Sequence, residues 1–350
     1  MTATVFGGQE LTADFLTSAL ASYLGGTVVT AVAAAPVGTG QVSDSYRLSL
    51  TYDGPADLPP TIIAKVPAAD AASRTAARAF RTYEIEASFY SQLAARMPVA
   101  LARCYYAAYD AGPDEYVVLL EDLAPALPGD QLAGLHPDDA AAAIRELAAL
   151  HAAGWEAAEL AALPWLNRSG PDAAALLAAV LTDLYPRFRE RYAGRFEPGT
   201  LGLIEEFLPK VSSYLAAGAE PRTIVHGDFR ADNLLFGAPR PVVLDWQTAG
   251  FGAGTADLSY FLASSLPVAA RRQYEEALVR RYHAALTSRG AGLSWHDCWI
   301  GYRRHAFSGI VMAIIAATMV QQTERGDAMF ATMARRHARH ALDLDALALI

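Results

Sequence analysis

Cysteine is nearly absent. Cys104 and Cys298 are the only two in 350 residues, too few and too isolated for a disulfide framework or a structural zinc site. Charge is sparse as well: charged residues make up 19% and the formal net charge is -9. Nucleic-acid binding needs concentrated Lys and Arg to neutralise phosphates, and no extended basic stripe occurs, so that class of partner is excluded. The longest apolar run, Ala306 to Val320, is shorter than a bilayer span and is bounded by Arg303, Arg304, His305 and Gln321. It is expected to be a buried core helix, with no membrane insertion. The N-terminus lacks the basic start and apolar run of a secretory signal, because Glu10 and Asp14 fall where the apolar segment would lie. A reducing, cytoplasmic location is therefore expected, and no motif calls for an obligate protein partner.

What is present is apolar residues, at 53%, the composition of a packed globular protein. The length allows two ordinary domains. Thr12 has the look of an N-cap for a helix carrying Phe15, Leu16, Leu20, Tyr23 and Leu24, which Gly25 and Gly26 end. The period then changes. Strands are expected at Val28 to Ala33, around Tyr46, Leu48 and Leu50, and at Thr61 to Val66, separated by Gly and Pro turns. A helical segment from Arg74 to Ala95 and strands at Ala102 to Tyr109 and Glu115 to Glu121 follow.

After a Pro and Gly cluster from Pro125 to Gly129, helices dominate. They are expected from Pro137, with Ile144, Leu147 and Leu150 on one face, and at Pro171 to Arg191, Gly199 to Ala217, Val268 to Ser288, Ser294 to Gln322 and Ala328 to Leu349. His337 and His340 lie three apart on the last of these and read as a solvated basic face. The fold class is α+β, with a small antiparallel β-rich lobe over residues 1–123 and a large helical lobe over 124–350.

One irregular segment interrupts the helices: His226 to Trp246, HGDFRADNLLFGAPRPVVLDW. It sets Asp228 and Asn233 five positions apart after a strand, and Asp245 at the end of a second apolar strand. Phosphoryl transfer needs this set: a carboxylate to orient the attacking hydroxyl and take its proton, and hard oxygens for magnesium. A single Asp in such a place is ordinarily a turn former; three ligands in register are not.

These residues resemble the catalytic and metal loops of the aminoglycoside phosphotransferase and choline kinase group, which shares the protein-kinase fold. The flanking DWQTAGFGAGTADLSYFL is similar to ecdysteroid-kinase-like bacterial phosphotransferases. The resemblance implies a bilobal protein-kinase-like fold, with residues 1–123 binding nucleotide and 124–350 carrying the catalytic loop and acceptor site. It makes Asp228 the catalytic base and Asn233 and Asp245 the Mg2+ ligands, with ATP, or GTP, as donor and a small-molecule hydroxyl as acceptor. His226 is expected to be structural, holding the loop backbone.

A kinase needs a buried lysine with an acidic partner to hold the triphosphate. Lys65, in the apolar run TIIAKV, is the only lysine before Lys210. Glu86, in the E-x-x-F-Y pattern of the following helix, is its expected partner; Glu84 points to a different side of the helix and is the alternative. The turn VGTGQVSDSYRL lacks G-x-G-x-x-G and offers Gly38, Gly40 and Ser43 to the phosphates. The resemblance puts the adenine against Glu121 to Leu123, and gives Asp257 the task of bracing the catalytic loop. His151 reads as a satisfied core residue. Only eleven residues separate Asp245 from Asp257, too few for the activation segment of a protein kinase. Trp295, Trp299, Phe307, Met312, Met319, Met329, Phe330 and Met333 make the C-terminal helices apolar, either as plain core or as an acceptor pocket suited to a lipophilic alcohol more than to an aminoglycoside.

Overall fold

Alternating apolar residues in the first third of the chain build an antiparallel sheet, and periodic apolar residues in the rest build helices. A computed structural model describes residues 5–6, 9–38, 42–112, 115–168, 170–216 and 220–350. The chain divides into two compact units: Met1–Arg96, Leu101–Pro125 and Met319–Gln321 form the first, and Met97–Ala100, Ala126–Thr318 and Gln322–Ile350 the second.

The first unit holds β1 (Val29–Pro36), β2 (Ser43–Tyr52), β3 (Thr61–Pro67), β4 (Cys104–Asp110) and β5 (Glu115–Glu121). Every pair is antiparallel and the order across the sheet is β1-β2-β3-β5-β4. The two-residue period of a strand turns Ile62, Ala64 and Val66 to one face and Lys65 to the other. The first face joins Leu48, Leu50, Val117 and Leu119 in a core with Leu16, Leu20 and Leu24. Each such leucine contributes about 1.5–3 kcal/mol by leaving water. Thr12 caps α1 (Ala13–Ala19), accepting the Phe15 amide at 3.0 Å. The helix stops at Leu20, with a further turn at Ala21–Leu24 that ends in left-handed Gly25.

The expected helix over Arg74 to Ala95 is broken. It begins earlier, in α2 (Ala71–Phe80), because the Asp70 side chain accepts the Ser73 amide at 2.7 Å. Arg81 then adopts a left-handed conformation with φ of 58° and redirects the chain into α3 (Thr82–Ser88). A π-helical turn, Phe89–Leu93, follows.

The second unit contains α4 (Pro137–Ala153), α5 (Pro171–Tyr192), α6 (Pro198–Phe207), α7 (Gly254–Ser265), α8 (Val268–Thr287), α9 (Trp295–Arg304), α10 (Ser308–Met319, all but its last residue) and α11 (Glu324–Asp343). Helix α4 starts with Pro137, whose missing N–H has no partner to lose there, and packs along α8. Two expected helices are interrupted. Gly199 to Ala217 splits at a 3₁₀ turn, Leu208–Lys210, where Pro209 lacks the N–H needed to continue; Ala217 lies outside the described residues. Ser294 to Gln322 splits at His305–Phe307, where the Ser308 hydroxyl donates to the His305 carbonyl at 2.8 Å. Helix α11 begins four residues early because Thr323 caps it through the Gly326 amide.

The basic face expected at His337 and His340 is not there. Both imidazoles are fully buried, and only Arg335 and Arg339 of that stretch face solvent. Neighbouring helices cover α11 on most sides, and even Arg336 is buried, donating to the carbonyls of Gln131, Leu132 and Ser264.

Two small sheets carry the irregular segment. β6 (Leu127–Pro128), β8 (Leu234–Phe236) and β9 (Val242–Val243) form one, in the order β9-β8-β6. β7 (Arg222–Val225) and β10 (Gly250–Ala253) pair antiparallel in the other. No helix among the described residues is long and apolar enough to cross a membrane.

Candidate active site

In the first unit, β3 and α3 place an ion pair. Lys65 Nζ donates to Glu86 Oε1 at 2.6 Å, and Glu86 is fully buried. The Tyr116 hydroxyl donates to the other carboxylate oxygen, and the Tyr116 ring stacks on Tyr83 with centroids 4.8 Å apart. Tyr83 and Glu86 are three residues apart, on one face of α3. Glu84 faces elsewhere and pairs with Arg81 near the surface at 2.7 Å. The Tyr83 hydroxyl donates to the Val42 carbonyl at 2.6 Å and accepts the Ala68 amide at 3.1 Å. It thereby ties the start of β2, and with it buried Ser43, to the end of β3. Gly38 takes the left-handed φ of 77° that the turn requires; Gly40 lies outside the described residues. At the end of β5, Glu121 is bonded both ways to Arg103: its amide donates to the Arg103 carbonyl at 2.8 Å, and its Oε2 accepts the Arg103 amide at 3.2 Å. Leu123 beyond it is half-buried.

In the second unit, β7 runs into His226, Gly227 and Asp228. The loop is held from below by Asp257 on α7, which is buried and accepts the amides of His226 at 2.6 Å and Gly227 at 2.9 Å. Asp257 is four residues into the helix, so it is no N-cap: its carboxylate serves the loop. Burial alone would raise its pKa, but the hydrogen bond and charge of His151, with the His226 amide, outweigh it and hold the carboxyl below its ordinary range. His151 contacts Asp257 at 3.3 Å and the Tyr282 hydroxyl at 2.8 Å.

His226 bridges the segment. Its Nδ1 lies 3.2 Å from the Asp228 amide, which can only donate, and its Nε2 lies 2.9 Å from the Leu244 carbonyl, which can only accept. Those partners select the neutral tautomer protonated on Nε2. Gly227, at φ of 80°, has no room for a side chain: a Cβ there would lie 2.5 Å from the Thr248 carbonyl oxygen. The Leu244 amide donates to the Asn233 carbonyl at 2.9 Å, so the residue before Asp245 is tied to both His226 and Asn233. Asp245 itself has a φ of 65°, a conformation that costs a non-glycine residue about 1–3 kcal/mol and collects at functional sites.

Asp228 and Asn233 touch. Asn233 Nδ2 donates to the Asp228 carbonyl and to Asp228 Oδ2, both at 2.9 Å. Two acceptors on one side orient the amide, so its Oδ1 faces away with no protein hydrogen bond among the described residues. That oxygen and the Asp245 carboxylate are hard donors of the kind magnesium takes. Among the described residues no cluster of three or more His, Cys, Asp or Glu is arranged to hold a metal ion. An open groove of about 680 Å³ lined by Thr182, Asp183, Pro186 and Leu208 shares no residue with this constellation.

The chain matches the phosphotransferase enzyme family over residues 36–293. It belongs to that family. No curated protein matches its sequence. Among solved structures, a Ralstonia eutropha protein assigned as an aminoglycoside phosphotransferase is similar at 18% identity and a TM-score of 0.53, covering 95% of this chain and 98% of that one. Choline kinase from Cryptosporidium parvum is similar at 12% identity and 0.52, covering 90% and 89%. An aminoglycoside phosphotransferase in complex with gentamicin is similar at 14% and 0.52, covering 94% and 96%. The fold is accordingly protein-kinase-like, and the chain is a phosphotransferase.

Two side chains of this phosphotransferase contact Asp228 without having stood out in the sequence. Arg230 Nε spans both Asp228 oxygens at 3.1 and 3.0 Å, and the Tyr260 hydroxyl donates to Oδ1 at 2.5 Å. Burial first, then the Asp228 charge, pushes the Tyr260 phenol well above its ordinary range, so it remains a donor. A signal for Tyr260 was available: it follows Asp257 by three residues, on the same helix face. Of the eight apolar residues singled out in the C-terminal helices, Met329 and Met333 have contacts to this group. Met329 Sδ meets Arg230 at 3.3 Å and Met333 Sδ meets Tyr260 at 3.7 Å.

Proposed function

We propose that this phosphotransferase is a magnesium-dependent kinase of small molecules, transferring the γ-phosphoryl group of ATP, with GTP the alternative donor, to a substrate hydroxyl. The interlock of Asp228 with Asn233 carries the reading: one contact both orients a carboxylate for an incoming hydroxyl and turns an amide oxygen outward for a cation. Residues 1–123 take the nucleotide. The Lys65 ammonium, held by Glu86, positions the triphosphate; Ser43 and the turn before it cover the phosphates; the backbone at Glu121 to Leu123 meets the purine. Residues 124–350 take the acceptor.

Bound through Asn233 and Asp245, Mg2+ would neutralise charge on the phosphate oxygens. Asp228 orients the acceptor O–H and receives its proton as the new O–P bond forms and the bond from the γ-phosphorus to the β,γ-bridging oxygen breaks, releasing ADP. His226, Asp257 and His151 keep the loop in place while this occurs.

The charges around Asp228 favour an uncharged acceptor. Arg230 pairs with Asp228 at 3.0 Å and with Asp232 at 2.9 Å, and Arg325 also reaches Asp232 at 3.3 Å. An ammonium-rich substrate meets carboxylates already matched by guanidinium groups, which favours an alcohol without charge.

Calorimetric titration with magnesium ATP, beside Asp245→Ala, tests the nucleotide site. Binding that requires magnesium and is lost in the variant is expected; a wild-type protein that binds neither ATP nor GTP would sink the kinase reading. ADP release across alcohols, sugars, steroids and aminoglycosides then tests the acceptor, with turnover on uncharged alcohols expected and a preference for aminoglycosides overturning that part.

A further inference from the structure

Asp228 has more donors than a carboxylate needs merely to stay in place. Tyr260 holds Oδ1 at 2.5 Å, Asn233 holds Oδ2 at 2.9 Å, and Arg230 Nε bridges both at 3.1 and 3.0 Å. A carboxylate offers about four lone-pair positions, so an arriving hydroxyl must take over one that is occupied. The three donors differ in what they can release. Asn233 is also bonded to the Asp228 carbonyl at 2.9 Å. Arg230 is anchored through Nη1, at 2.8 Å to Gln131, 2.9 Å to Asp232 and 3.3 Å to Met329. Because its Nε is shared between two oxygens, it can yield one and keep the other. Tyr260 is buried on α7, with its ring 5.5 Å from His337, and its single O–H has one carboxylate to serve.

We propose that Tyr260 is a positioning residue for phosphoryl transfer: with Asn233 it stops the Asp228 carboxylate from rotating, so the edge that Arg230 can yield is the one presented to the acceptor hydroxyl. The inference rests on Asp228 being the group that takes the acceptor's proton. It assigns work to a hydroxyl that neither the motif nor the metal ligands account for.

A double-mutant cycle tests it, reading ADP release from magnesium ATP with water as the acceptor, and magnesium ATP affinity by calorimetry. Tyr260→Phe removes one hydroxyl and keeps the ring. It is expected to lower kcat by about tenfold or more, as losing a hydrogen bond to a charged group does, at an unchanged KM and affinity for ATP. Asp228→Asn is expected to lose more, and the pair Asp228→Asn with Tyr260→Phe no more than Asp228→Asn alone, because the hydroxyl acts through the carboxylate. Wild-type kcat in Tyr260→Phe, or a double variant whose loss is the product of the two, would overturn the positioning role. Unchanged turnover in Asp228→Asn by itself would instead remove Asp228 from its role, so the two failures are separable.

Discussion

Asp257 receives two backbone N–H groups on its two carboxylate oxygens, His226 at 2.6 Å and Gly227 at 2.9 Å. A buried acid thus sets the path of the loop that ends in Asp228. Asp257→Asn would place an amide NH2 against one of those donors and leave it unpaired. The variant is expected to lose about 3 kcal/mol of stability in chemical denaturation and most of its turnover. Wild-type stability would mean that the loop holds its shape without the carboxylate.

Glu86 and Glu84 lie two residues apart in different physical settings. Glu86→Gln would take the buried Glu86 carboxylate away from the 9%-exposed Lys65, and breaking such a buried pair costs about 3–5 kcal/mol. Glu84→Gln would break a pair with Arg81 whose side chains are 43% and 28% exposed, and surface pairs of this kind contribute about 0–1 kcal/mol. Melting curves of the two variants should therefore separate clearly, and weaker ATP binding should accompany only Glu86→Gln. Equal losses would contradict the burial argument.

What the sequence revealed follows from how local each signal is. The strand Glu115–Glu121 was legible to the residue, since a continuous apolar run between turns admits little else. The spacing of Asp228, Asn233 and Asp245 was legible because one hairpin carries all three. Strand β10 was not: Gly250–Ala253 contains two glycines and gains its place only by pairing with Arg222–Val225, a non-local contact that propensity cannot report. The burial of His337 was hidden for a similar reason. Its surroundings, the Ala306 carbonyl at 2.9 Å and Ser264 at 3.0 Å, come from helices distant in sequence. Arg230 and Tyr260 are ordinary residues by type, and only the approach of α7 to the loop sets the second against Asp228.

The buried histidines predict how stability falls with acid. Burial pulls the His337 imidazole down to about 4 against the favourable pull of the Ala306 carbonyl. Burial, reinforced by Arg271 and His337, pulls His340 well below its ordinary value. His340 faces Glu275 at 3.7 Å and the Tyr302 ring at 4.9 Å, and neither ring nitrogen has a hydrogen-bond partner among the described residues. Both groups are neutral in the folded protein, while in the unfolded chain they take up protons below about pH 6.5. The unfolded state therefore binds more protons there, and stability is lost as pH falls from about 6.5 towards the folded values, by up to about 1.4 kcal/mol per pH unit for each histidine. A second loss follows only below about pH 4, where Asp257 and Asp343 become protonated. Burial acts to raise these carboxyls, but hydrogen bonds and neighbouring positive charge hold them low. Denaturation midpoints between pH 7 and 4.5 should show the first slope, and His340→Phe should reduce it by about half, since one of the two groups is gone. A wild-type midpoint flat across that interval would mean that the imidazoles are protonated in place, with Glu275 as the counter-ion of His340.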